Sequence, residues 1–97
     1  MELKHKYITD KIIKAFYNVY NELGFGFLEK VYENALYLEL NSMDLLCEKQ
    51  FPIKVYYQDR LVGEYFADII VEQVVIVELK AAEAIAEEHE LQIINYL

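Results

Sequence analysis

The sequence predicts one α+β domain in which two helices precede an antiparallel meander of three strands, and a last helix follows. Three observations lead to this fold class. Apolar residues recur every three or four positions through residues 7–43, which is the periodicity of amphipathic helices. Residues 51–79 are instead rich in β-branched and aromatic residues, divided by short polar breaks. The 97 residues, 56% of them hydrophobic, are sufficient for a single buried core.

The first predicted helix covers Tyr7 to Leu23, because one face of it would carry Ile8, Ile12, Phe16, Val19, Tyr20 and Leu23. Thr9 and Asp10 leave open a slightly later start, since either side chain could cap a helix. The GFGF segment, residues 24–27, ends this helix because glycine suits the position just after a helix. A second helix is predicted from Leu28 to Met43 by the same apolar spacing.

Three strands are predicted at Phe51–Tyr57, Leu61–Val71 and Val74–Leu79. A short polar turn joins the first two, and a tight hairpin at Glu72-Gln73 joins the last two. The remaining sequence, AAEAIAEEHELQIINYL in residues 81–97, has helical composition and predicts a helix that runs to the end of the chain.

Composition and charge limit the functional classes. The chain carries 9 Lys and Arg against 17 Asp and Glu, a net charge of −8, which argues against a general nucleic-acid-binding protein. An acidic surface remains compatible with a site that holds a divalent metal. The single cysteine, Cys47, excludes an intramolecular disulfide and indicates the cytoplasm. No apolar run approaches the length of about 18 residues that a membrane span needs, and the N-terminus lacks a signal peptide.

Three charged residues interrupt the apolar strands in the stretch ADIIVEQVVIVELKA, residues 67–81. Glu78 and Lys80 point the same way, because side chains alternate along a strand. A hairpin centred on Gln73 places Asp68 directly opposite Glu78, with Cβ atoms about 4.5–5.5 Å apart. A slip of one residue would separate the two carboxylates and leave them on different faces.

Two carboxylates at this distance are stable in a dry site only if they are protonated, paired with a cation or bound to a metal. Mg²⁺ prefers oxygen ligands, so Asp68, Glu78 and the backbone carbonyl of Leu79 could hold it. Lys80 could orient a water molecule or stabilise charge at phosphorus. From spacing alone, a structural Lys–Glu pair on a solvated sheet face is the alternative interpretation.

The segment GFLEKVY, residues 26–32, spells G-x-x-E-x-x-Y, and the later QIINY spells Q-x-x-x-Y. With Asp68 and the Glu78-Leu79-Lys80 triplet, these motifs make the whole chain closely resemble the bacterial GxxExxY protein family. That family is placed in the PD-(D/E)XK nuclease superfamily. The resemblance implies a core of the restriction-endonuclease type.

The resemblance also implies roles for individual residues. Glu29 matches the helix glutamate that reaches the metal site, although an isolated glutamate near a helix start more often faces solvent. Asp68 matches the motif aspartate, and Glu78 and Lys80 match the (D/E)XK pair. These four are the implied catalytic residues. Mg²⁺ or Mn²⁺ would be held by Glu29, Asp68, Glu78 and the carbonyl of Leu79.

Gln92 and Tyr96 match the element that contacts the nucleic acid in RecB-type members. Helical spacing would place both on one face, together with His89. Ala67 stands where the superfamily name has proline. Relatives continue through a further strand and helix, so residues 1–97 are interpreted as one C-terminally truncated nuclease-like domain. An open sheet edge would result, and it could support a homodimer.

Two functions are compatible with these observations. The first is a metal-dependent nuclease that hydrolyses phosphodiester bonds in nucleic acid, as an endonuclease or an exonuclease. The second is a catalytically inactive protein of the same fold that serves as a binding or assembly module. The presence of all four motif residues favours the first, whereas the acidic charge and the short C-terminus favour the second.

Overall fold

The computed structural model of the protein describes residues 5–80 and 90–95. Two helices come first, followed by four strands: α1 (Lys6–Leu23), α2 (Glu29–Ser42), β1 (Cys47–Tyr57), β2 (Arg60–Val71), β3 (Val75–Lys80) and β4 (Glu90–Asn95). The α+β class, both predicted helices and the three predicted strands are confirmed. The order of elements is α-α-β-β-β-β, which is consistent with a restriction-endonuclease-like domain.

The turn between the helices is organised around Tyr32. Gly24 ends α1 with a backbone φ of 72°, in the left-handed region that glycine adopts without a steric penalty. Its amide donates a hydrogen bond to the Tyr20 carbonyl at 2.8 Å, and its own carbonyl accepts a hydrogen bond from the Tyr32 hydroxyl. Tyr32 is only 1% exposed, so it ties the turn to the core.

The sheet is an antiparallel meander with the strands in chain order. In the hairpin of β2 and β3, Ile69 pairs with Val77 and Val71 pairs with Val75. This register is centred on Gln73, as the sequence predicts, because the short turn leaves little freedom for slippage. The alternative register, in which Asp68 would face Val77, does not occur.

The predicted last helix is wrong over residues 90–95, which form β4 instead. This strand pairs with β3 along its whole length, from Val75 opposite Asn95 to Lys80 opposite Glu90. Leu91 and Ile93 pack against the main apolar cluster. Pairing with a β-branched strand and burial of these side chains outweigh helix preferences of a few tenths of a kcal/mol per residue. The rest of the predicted helix lies outside the described residues.

The sheet carries apolar side chains on both faces. On one face a large cluster joins the sheet to the helices and includes Ile12, Leu36, Leu40, Ile69, Val71, Val75, Val77 and Leu79. On the other face, a smaller cluster contains Ile53, Ala67, Ile70 and Ile76. The helices therefore cover one face, and burial on both faces explains the nearly continuous apolar sequence of β2 and β3.

Strands β1 and β2 are both irregular at one shared position. Ala67 and Ile69 fall into different clusters although residues two apart in a regular strand share a face, so the alternation breaks at Asp68. Gln50 lies opposite Asp68, with a backbone φ of 54°, and the pairing of β1 with β2 omits these two residues between Lys49↔Ile69 and Phe51↔Ala67; a second irregularity, a register shift, follows between Val55 and Tyr56. We call this irregularity the Gln50/Asp68 kink.

Cys47 is buried in the main cluster, as a small structural thiol would be. Burial, and to a lesser extent the nearby negative charge of Glu72, raises the pKa of the Cys47 thiol from 9.0 to about 11. The thiol is therefore protonated and unreactive near neutral pH.

Within residues 5–80 and 90–95, no helix is long and apolar enough to cross a membrane.

Candidate functional site

Asp68 lies at a fork between β2 and β3. The backbone pairing of these strands ends at Ile69 and Val77, and the next contact between them involves a side chain. The Leu79 amide donates a hydrogen bond of 2.7 Å to Oδ2 of Asp68. The half-buried Asp68 carboxylate thus takes the place of a backbone acceptor where the strands separate.

Glu78 lies next to this fork. Continuing the register of β2 and β3 by one residue would place Glu78 opposite Asp68, but the backbone pairing ends at Ile69 and Val77, so the facing of the two carboxylates stays a prediction. Glu78 is half-buried and Lys80 is exposed, and strand alternation directs both to the same face of the sheet. In an extended strand the N–H and C=O of one residue face the same neighbour, so the carbonyl of Leu79 also faces the strand of Asp68.

Gln92 reaches this region by a route that the sequence did not predict. It lies in β4 directly opposite Glu78, and cross-strand partners project from the same face of a sheet. The side chain of Gln92 is exposed. The expected helical face of His89, Gln92 and Tyr96 is wrong for Gln92, whereas His89 and Tyr96 lie outside the described residues.

Glu29 occupies the first turn of α2 and is half-buried. No three His, Cys, Asp or Glu side chains in the described part of the chain form a group that could hold a metal ion. The structure therefore joins Asp68 to the Leu79 amide, next to Glu78 along β3, but does not gather Glu29 with them in one ligand group. The convergence of Glu29 on the two strands stays a prediction.

Glu33 is the buried carboxylate that sequence reasoning missed. It is 3% exposed, and its two oxygens accept hydrogen bonds from Lys30 Nζ and Gln50 Nε2, each at 2.9 Å. Glu29 and Glu33 are four residues apart in the sequence, so helical spacing places them one turn apart. The spacing could not tell which of them faces the sheet, because both lie beside the apolar face of α2.

The Asp68, Glu78 and Leu79 oxygens fit the preference of a divalent cation such as Mg²⁺ for hard oxygen ligands. Mg²⁺ also keeps several of its waters, so a partial set of protein ligands is enough. The Leu79 amide occupies one oxygen of Asp68, and it fixes the orientation of that carboxylate. Lys80 adds one positive charge on the same face as Glu78. These residues supply the donor types that such an ion prefers, although no three His, Cys, Asp or Glu side chains of the described residues form a ligand group.

Comparison with known proteins gives one family match. A family model described as the PD-(D/E)XK nuclease superfamily matches residues 6–97, almost the whole chain. No similar curated protein and no similar solved structure was found.

Proposed function

Because the chain belongs to the PD-(D/E)XK nuclease superfamily, we propose that it is a metal-dependent hydrolase that cleaves phosphodiester bonds in nucleic acid. The observation that carries this proposal is the fork at Asp68, whose carboxylate accepts a hydrogen bond from the Leu79 amide, next to Glu78 along β3. Within the superfamily, the GFLEKVY segment supports assignment to the bacterial GxxExxY proteins.

The carboxylates of Asp68 and Glu78 and the carbonyl of Leu79 would hold Mg²⁺ or Mn²⁺, with Glu29 as the ligand from α2. When bound, such an ion acts as a Lewis acid toward a phosphoryl oxygen and lowers the pKa of bound water. In this proposal, the residues at the fork supply the hard oxygen donors that such an ion prefers.

Lys80 and Gln92 would act on the substrate side of the site. Strand alternation directs Lys80 to the face of Glu78, where its ammonium group would orient the attacking water or stabilise charge at phosphorus. Gln92, exposed on β4 opposite Glu78, would donate hydrogen bonds that position the nucleic-acid strand. Tyr96, outside the described residues, is proposed to contact the same strand.

Lys80→Ala is expected to leave metal affinity nearly unchanged and to lower cleavage by about 10²-fold, because Lys80 contributes charge to the reaction rather than a metal ligand. Calorimetric titration of Mg²⁺ and Mn²⁺, followed by cleavage assays on DNA and RNA in single-stranded and double-stranded form, measures both quantities. Lys54→Ala is the matched control, since Lys54 is also an exposed lysine of the sheet. Equal cleavage by the Lys80→Ala variant and the wild type would contradict the proposed role.

A catalytically inactive binding or assembly module is the second candidate. Two observations favour it: the described residues contain no three-carboxylate group, and the chain carries a net charge of −8. The same titration separates the two functions. Absence of saturable metal binding by the folded wild-type protein would exclude the metal-dependent nuclease and support the inactive module.

The proposed partner is nucleic acid, and the proposed location is the cytoplasm.

We also propose a homodimer that forms through an open edge of the sheet. In the described sheet, β4 covers one edge of β3, so the outer strands are β1 and β4. The 11-residue β1 pairs with a strand on one side only, so its other side could pair with a strand of a second copy. Sedimentation velocity at rising concentration is expected to show a dimer. A single monomeric species at the highest concentration would contradict this proposal.

A further inference from the structure

We propose that Glu33 and Gln50 are positioning residues, which hold the Gln50/Asp68 kink and thereby present the Asp68 carboxylate to the Leu79 amide. Their effect on metal binding rests on the proposed function, whereas their effect on the fork does not. Neither residue belongs to the motifs that identify the family.

Glu33 is placed to hold β1 from the helix side. A carboxylate buried to this extent needs compensating hydrogen bonds, and Glu33 receives one from Lys30 and one from Gln50. The bond to Lys30 lies within α2, but the bond to Gln50 joins α2 to the sheet. Bonds to an ionised acceptor are roughly twice as strong as neutral ones, so this link is suited to fixing the position of Gln50.

Gln50 needs such a link because of its backbone. A φ of 54° is sterically unfavourable for a residue with a Cβ atom, and it persists only when surrounding interactions hold it. Glu33 supplies that interaction at 2.9 Å. The left-handed residue changes the side-chain alternation of β1, and Asp68 lies opposite on β2.

The Gln50/Asp68 kink affects the direction in which the Asp68 side chain projects. In a regular strand a side chain stands roughly perpendicular to the sheet, which does not direct its carboxylate toward the amide of the neighbouring strand. Asp68 nevertheless accepts a hydrogen bond from Leu79 of β3 at 2.7 Å. The irregular backbone at this position allows the side chain to lie between the strands. The bond from Gln50 to Glu33 and the bond from Leu79 to Asp68 therefore lie on the two sides of the kink, one toward α2 and the other toward β3.

The first test is hydrogen exchange of individual backbone amides by nuclear magnetic resonance. The Leu79 amide reports the bond to Asp68, and the Val77 amide is the reference because Val77 lies in the backbone-paired part of β3. Gln50→Ala removes the hydrogen bond from Gln50 to the Glu33 carboxylate. Exchange of the Leu79 amide is therefore expected to become about tenfold faster relative to that of the Val77 amide. Equal acceleration of both amides would indicate general destabilisation and overturn the proposal.

Further variants separate the contribution of the Gln50 side chain from that of its backbone conformation. Gln50→Gly is expected to keep the Leu79 amide protected, because glycine adopts the left-handed conformation without help. Exchanging the two residues, by Glu33→Gln with Gln50→Glu, is expected to restore the bond and most of the protection that Glu33→Leu alone removes. Lys49→Ala is the matched control, since Lys49 bonds to Asn34 across the same interface at 3.1 Å. A Lys49→Ala effect as large as that of Gln50→Ala would overturn the proposal.

Metal titration of the same variants connects the kink to the proposed function. Gln50→Ala is expected to lower Mg²⁺ affinity about 10–100-fold, the size of effect that loss of a supporting residue has on a metal site. If the wild-type protein binds no metal but Leu79 protection still responds to Gln50→Ala, the proposed function fails and the positioning role stands. If Leu79 protection is the same in Gln50→Ala and wild type, the positioning role fails whatever the metal result.

Discussion

Asp68→Asn is expected to abolish saturable Mg²⁺ binding and to lower metal-dependent cleavage by about 10²–10³-fold, in a protein that remains folded. The asparagine oxygen can still accept the hydrogen bond from the Leu79 amide, so the fork between the strands is preserved. The substitution removes the negative charge that would hold the cation opposite Glu78. Calorimetric titration and cleavage assays measure the two losses, and circular dichroism checks the fold.

Asp59→Asn is the matched control for this substitution. Asp59 is exposed in the turn between β1 and β2, and the same charge is removed there without touching the fork. The metal affinity and the cleavage activity of the Asp59→Asn variant are expected to equal those of the wild type. Retention of saturable metal binding by Asp68→Asn would show that the ion does not bind at the fork. Equal loss in both variants would show that net charge, rather than the site, controls binding.

Tyr32→Ala is expected to lower the free energy of unfolding by about 3–5 kcal/mol, the range found when a large buried aromatic side chain is truncated. The ring lies 6.4 Å from that of Tyr20 and 6.1 Å from that of Phe27, measured between centroids, and its hydroxyl joins α2 to the Gly24 carbonyl. For a domain whose total stability is about 5–10 kcal/mol, this loss removes much of the folded population. Chemical denaturation measures it.

Tyr32→Phe separates packing from hydrogen bonding. It keeps the ring and removes the hydroxyl, so a loss of about 1 kcal/mol is expected. Tyr17→Ala is the control, since Tyr17 is 60% exposed on α1, and its effect is expected to stay within about 0.5 kcal/mol. A Tyr32→Ala loss as small as that of Tyr17→Ala would contradict the structural role of Tyr32. The last residue of the GFLEKVY motif thus serves the turn between the helices.

Much of the fork could be predicted from the sequence because its geometry is local. Asp68 and Glu78 are joined by a short hairpin, and a tight turn permits few registers. The register of the paired part of this hairpin therefore follows from counting residues outward from Gln73, and the facing of Asp68 and Glu78 is its extension by one residue. The placement of Glu29 did not follow in this way, because α2 lies far from β2 and β3 along the chain, and no local rule sets its distance from them.

By itself, the sequence determined the α+β class, both helices, the first three strands and the register of the hairpin between β2 and β3, since these depend on residue spacing along short segments. Tertiary structure alone decided three features: that residues 90–95 pair with β3 as a strand, that Glu33 is buried, and that Gln50 adopts a left-handed conformation opposite Asp68. The physical reason is that strand pairing and burial join residues distant along the chain. Their energies exceed the small local preferences that a sequence pattern reveals.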